Sequence, residues 1–146
     1  MKKAWKYILG FESYRERICK LRIKGKHNNI TLIHVYACKE NKTDEDKEQI
    51  YEDSKSVVDR VPKCDIVIIF GDPNAKLGKE GIYSNVTGKH TLHEGTNRNV
   101  EMKCEFVFAN NKMSTQFQHK QMHKATWIPP SQNTINQIDH VFVNTN

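Results

Sequence analysis

"DIVIIFGDPNAKLG", residues 65–78, decides how this chain is read. Five apolar residues run from Ile66 to Phe70 without interruption, and Gly71 then leads into Asp72, Pro73 and Asn74. An unbroken apolar run of that length, closed by turn residues, is the pattern of a strand buried on both faces. The Asp-Pro-Asn that follows has two readings. Pro presets φ, and Asp and Asn bond their own backbone, so the tripeptide makes a serviceable turn. An acid and an amide at the mouth of a rigid strand are equally what a hydrolytic site requires, because the strand holds them accurately.

The segments before it give a hairpin and a helix. In "ICKLRIKGKHNNITLIHVYA", Cys19, Leu21 and Ile23 alternate with Lys20, Arg22 and Lys24, which predicts a half-buried strand. The "KGKHNN" turn leads into a second strand, Ile30 to Ala37, apolar on both faces and therefore central. "TDEDKEQIYEDSKSVVDRVP" predicts an amphipathic helix. Thr43 and Asp46 form its capping box, acids crowd the first turn where the helix dipole favours them, and Pro62 stops it. Ile50, Val57, Val58 and Val61 fall on its inner stripe.

Beyond the opening stretch, Asn99 is expected to cap a second helix with Val100, Cys104, Val107 and Phe108 inside. Short strands are expected near Met113–Phe117, Lys124–Ile128 and Ile138–Val143. Hairpins mixed with crossovers predict a layered α/β sandwich, one domain over residues 1–146.

Composition narrows the function classes. The chain is 37% hydrophobic with a mean hydropathy of −0.73, so its core is lean. Cys19, Cys38, Cys64 and Cys104 stand far apart and form no Cys-x-x-Cys pair; three fall in apolar patterns and read as small buried hydrophobes in a reducing compartment, nuclear or cytoplasmic. Lys6 splits the apolar residues of the N-terminal stretch, and no run is long enough to cross a bilayer, so neither signal peptide nor membrane partner is expected. Residues 1–30 carry nine Lys or Arg against two Glu, and the rest carry fourteen against fifteen. That basic strip has two readings: a surface that attracts nucleic acid or anionic lipid, or the solvated outer face of a strand.

Polar residues stand at three strand ends: Tyr36 in "HVYA", Asp72 and Asn74 in "GDPNA", Asp139 in "NQIDHVFV". Two acids, an amide and a phenol can converge on one phosphate, an Asp directing water and the Asn and Tyr binding phosphoryl oxygens. Each taken alone also has a structural reading, Tyr36 as a core aromatic most of all. His90 and His93, with His119 and His123, have spacings open to zinc, but no Cys or acid is arranged around them and they read as loop-bracing histidines.

In order, "ITLIHVYA", "DIVIIFGDPNAKLG", "GKHTLHEGTNRN", "HKATWI" and "NQIDHVFV" resemble the endonuclease/exonuclease/phosphatase superfamily, from about Phe11 to the end of the chain. More closely, they are similar to the endonuclease region of non-LTR retrotransposon polyproteins and to craniofacial development protein 2-like proteins. The resemblance implies a four-layer αββα sandwich, incomplete here, and phosphodiester hydrolysis with magnesium. It implies that Tyr36 lies against the scissile phosphate, that Asp72 aligns the attacking water, and that Asn74 binds a phosphate oxygen. It implies further that Asp139 orients a catalytic His and that Thr126 and Trp127 flank the substrate.

The chain departs from the motif at Pro73, where the family has Phe; Pro removes an N–H and an aromatic anchor next to Asn74. The family's metal-binding Glu and its closing Ser-Asp-His have no counterpart in the sequence, and His140 does not match that motif. A DNA endonuclease-like domain, impaired as a fragment, is therefore expected. The alternatives are a non-catalytic remnant that binds nucleic acid or protein, and a small-molecule phosphatase of the same superfamily.

Overall fold

The computed structural model describes residues 5–36, 42–72, 90–93, 111–113, 118, 120, 123–126, 136, 137 and 139–144. A short 3-10 turn, Trp5–Tyr7, leads into β1 (Ile8–Tyr14), followed by β2 (Ile18–Ile23), β3 (Ile30–Val35), α1 (Asp44–Asp59), β4 (Ile66–Gly71), β5 (Asn111–Met113) and β6 (His140–Asn144). The six strands form one sheet in the order β1-β2-β3-β4-β6-β5. β3 and β4 are parallel, joined by the α1 crossover, and every other neighbouring pair is antiparallel.

α1 forms where its sequence predicts. Thr43 sits in extended conformation, and its hydroxyl accepts the Asp46 N–H at 3.2 Å. The helix lies on one face of the sheet, where Ile18, Ile33, Val57, Val67 and Ile69 make the buried core and Val58, Val61, Val35, Tyr14 and Phe142 pack around it. Ser54, buried on the same stripe, donates its hydroxyl to the Ile50 carbonyl at 2.7 Å and so needs no solvent.

The other face carries Phe11, Leu21, Leu32, Ile68 and Val143 in one cross-strand row. None of the five is buried; Phe11 is 64% exposed and Val143 37%. Here the expectation that β4 is buried on both sides needs correction: Val67 and Ile69 are buried against α1, while Ile66 is exposed and Ile68 and Phe70 are half-buried. An apolar face of this extent should bind a hydrophobic dye and promote self-association in the isolated chain. A dye-negative, monodisperse monomer with a cooperative melt would contradict that expectation.

Two residues of the basic strip are tied within the fold. Lys20 pairs with Glu12 at 3.1 Å, and Arg22 makes a two-pronged contact with Asp65, Nε to Oδ2 at 2.7 Å and a terminal nitrogen to Oδ1 at 2.9 Å. These are internal ties, because both side chains lie on the α1 side of β2 and find acids there. Asp65 is 2% exposed and also accepts the Thr31 hydroxyl at 2.7 Å, so one carboxylate links β2, β3 and the entry to β4.

Other differences are local. β1 is a strand that no clean alternation in the sequence marks. Cys19 is half-buried and Cys64 exposed, so the buried-hydrophobe reading fails at Cys64, which precedes β4 in a turn; both thiols are free. Lys124 lies in a turn and Ala125 and Thr126 form no strand, while the next two residues of that expected strand lie outside the described residues. Residues 99–108 of the expected second helix, and 114–117 of the strand expected from Met113, lie outside them too. No helix among the described residues is long and apolar enough to cross a membrane.

Candidate functional site

The register of the sheet brings the candidate residues together at one end. The parallel β3–β4 ladder ends with His34 opposite Phe70, and Tyr36 and Asp72 each follow two residues beyond that pair. Gly71 lies opposite His140 in the antiparallel β4–β6 pair, so one further step sets Asp72 beside Asp139. Tyr36, Asp72 and Asp139 therefore stand at the tips of neighbouring strands at one end of the sheet.

Gly71 makes that row sterically feasible. Its φ is +139°, and a Cβ there would stand 2.2 Å from the Val35 carbonyl oxygen. Only glycine adopts this conformation and this approach without strain, so the motif's Gly is what lets β4 turn Asp72 out at its tip.

Asp139 is held by its surroundings. Its N–H donates to the Thr126 hydroxyl at 3.1 Å, and the Thr126 N–H donates to the Asn136 carbonyl at 2.9 Å. Residues 136–137 are pinned in turn: the Leu92 N–H donates to the Gln137 side-chain oxygen at 3.1 Å, and the Gln137 N–H to His93 Nε2 at 3.2 Å. His93 thus braces a loop through Nε2. Thr126 and Asp139 are both exposed and Asp72 is half-buried. Asn74 and Trp127 lie outside the described residues.

Tyr36 is 42% exposed, so it does not serve as a core aromatic. Its N–H donates to the Arg17 carbonyl at 2.9 Å, and its ring lies under the Arg17 guanidinium, 5.5 Å from carbon to centroid. Arg17, in the β1–β2 turn, is the residue that sequence reading missed; it appears there only as one basic residue among nine. His140 is 2% exposed and belongs with the buried α1-side positions, one residue out of step with Asp139. Among the described residues no three His, Cys, Asp or Glu gather as a metal cluster. Asp72 and Asp139 offer two hard oxygen donors, and magnesium is commonly held by one or two carboxylates with its remaining positions filled by water.

No protein-family model matches the chain. Craniofacial development protein 2 from Bos taurus is 30% identical over 142 residues, which cover 96% of this chain and 24% of that protein. The Tragulus javanicus protein of the same name is 31% identical over 146 residues, with the same coverage. The chain therefore spans about a quarter of the length of the curated relatives it matches. Among solved structures, the endonuclease domain of TRAS1, a telomere-specific non-LTR retrotransposon, is similar with a TM-score of 0.57, 16% identity, and coverage of 91% of this chain and 52% of that one. TDP2 from D. rerio, complexed with a single-strand DNA product, gives a TM-score of 0.58 at 10% identity, covering 94% and 53%.

Proposed function

We propose that this chain, which has the fold of the endonuclease/exonuclease/phosphatase proteins, is a nucleic-acid phosphodiesterase domain of retrotransposon-endonuclease descent, weak as a hydrolase when it stands alone. What supports the proposal is the register that ends β3 and β4 just before Tyr36 and Asp72 and starts β6 just after Asp139, with Thr126 bonded to the Asp139 backbone. The solved TRAS1 endonuclease domain and the TDP2–DNA complex support it as relatives in fold.

In this reading the Asp72 carboxylate aligns a water and takes its proton as the water attacks phosphorus. The Tyr36 hydroxyl and the Asn74 amide hydrogen-bond the non-bridging oxygens. Asp139, its backbone fixed by Thr126, stands where the family orients a His that this sequence does not supply, and Trp127 flanks the substrate. Magnesium, held by Asp72 and Asp139, would neutralise charge on the phosphoryl group. Two carboxylates at adjacent strand ends repel each other and a phosphate alike, so the site depends on that neutralisation. With no third acid beside them among the described residues, metal binding and turnover should both be poor. Pro73 adds to this, because it removes an N–H beside Asn74.

The test is nicking of supercoiled plasmid with magnesium, run beside Asp72→Ala, together with binding of a labelled oligonucleotide. The expected result is DNA binding with little nicking. Robust magnesium-dependent nicking that Asp72→Ala abolishes would keep the hydrolase and remove the weakness. Binding with no nicking under any metal would favour the second reading, a binding remnant, which the shortage of acids at the site supports. Neither binding nor nicking would end the nucleic-acid reading.

A further inference from the structure

We infer that Arg17, stacked on Tyr36, is a substrate-binding residue that grips a backbone phosphate of single-stranded nucleic acid next to the reacting one. The inference rests on the phosphodiesterase reading and adds to it a residue outside its motifs. Ile18 lies opposite Val35, so the following step of the antiparallel pair sets Arg17 beside Tyr36, and the Tyr36 N–H to Arg17 carbonyl bond extends the ladder to that step. The row of strand ends is therefore Arg17, Tyr36, Asp72, Asp139, with a single positive charge at the end away from the acids.

Three other basic residues of this hairpin are paired with acids. Arg15 pairs with Asp53 at 2.9 Å, Lys20 with Glu12 at 3.1 Å and Arg22 with Asp65 at 2.7 Å. Arg17 has no carboxylate partner among the described residues, and its contact is the exposed Tyr36 ring. A guanidinium held over an aromatic face by cation–π attraction keeps its N–H donors available to a phosphate. Two strand spacings separate its backbone from that of Asp72 by about 10 Å, a span that suits a phosphate flanking the scissile one. A polyanion drawn toward two acids needs a cation to hold it, and Arg17 is the one in the row. A single strand fits better than a duplex, since the half-exposed Tyr36 ring beside the guanidinium offers an aromatic surface to an unpaired base.

The experiment measures binding of a single-stranded oligonucleotide by fluorescence anisotropy across a salt series, for the wild type and four variants, each checked by circular dichroism and thermal melting. Arg17→Gln, which keeps a planar head over the ring without charge, should weaken binding by about three- to tenfold and flatten the plot of log affinity against log salt by about 0.7, the value for one phosphate contact on a single strand. Arg17→Lys should keep the slope. Tyr36→Leu should lower affinity with the slope unchanged. Arg15→Ala, whose guanidinium is already paired, should leave the slope as it is. A wild-type slope in Arg17→Gln, or an equal flattening in Arg15→Ala, overturns the inference while the phosphodiesterase reading stands. No salt-dependent binding by the wild type would remove both.

Discussion

Asp65→Ala should destabilise the chain by about 3 kcal/mol, at the lower end of what breaking a buried ion pair costs because solvent still reaches the Arg22 head. The substitution removes both hydrogen bonds from Arg22 and strands the buried Thr31 hydroxyl that Asp65 accepted. It also removes the acid that joins β2 and β3 to the start of β4. Against a typical domain stability of about 5–15 kcal/mol, that is a large fraction. The pH dependence gives a second reading of the same interaction. The hydrogen bonds from Arg22, foremost, hold the Asp65 carboxyl below its ordinary value, and that from Thr31 helps, while burial opposes them. A folded pKa below the unfolded one gives stability that is fully present above the unfolded value, near pH ~4, and is lost as pH falls through the folded value. Denaturant melts of wild type and Asp65→Ala should therefore differ most at neutral pH and converge in acid below that point. A constant difference down to acid pH would mean that the carboxylate's charge is not what stabilises the sheet.

That carboxylate was invisible in the sequence for a physical reason. Arg22 and Asp65 are 43 residues apart, and alternation of Lys20, Arg22 and Lys24 with apolar neighbours looks the same whether the charged face meets solvent or a buried acid. Local signals fared better. The Thr43 cap, the stripe of Ile50, Val57 and Val58, and the turn at Pro62 all lie within a few residues of what they determine, and α1 stands where they place it. β1 was obscured because Phe11 and Leu9 are exposed while Glu12 is tied to Lys20, so neither a clean alternation nor a buried run marks it.

The candidate site divides in the same way. Tyr36, Asp72 and Asp139 were visible one at a time, as polar residues ending apolar runs, but their row depends on β4 pairing with β6 across roughly seventy residues, which no local pattern encodes. Arg17 needed more still. Its proximity to Tyr36 follows from the β2–β3 register, and its lack of an acid partner is apparent only once Arg15, Lys20 and Arg22 are seen to have theirs.

Gly71→Ala should cost about 3 kcal/mol, with a fall in melting temperature on the order of 10 °C, because it incurs two penalties that no rotamer can relieve. The backbone stands at φ +139°, where an L side chain is strained, and the added Cβ would meet the Val35 carbonyl oxygen at 2.2 Å and the Val35 nitrogen at 3.2 Å. Those are backbone atoms of the neighbouring strand, so relief requires parting the end of β4 from β3, and Asp72 moves with it. The loss should thus appear twice, in stability and in the chemical shifts of the Tyr36 and Asp139 amides that flank Asp72 in the row. Gly10→Ala is the matched control: it too lies in a strand, but a Cβ there has nothing within 4 Å. It should be close to neutral, or slightly stabilising through the reduced freedom of the unfolded chain. If Gly71→Ala melted with Gly10→Ala, the tip of β4 would be free to relax, and Asp72 would not be held where a row of strand ends can use it. If Gly71→Ala lost stability but left both amides unmoved, the strain would be absorbed away from the site, and the glycine would serve the fold alone.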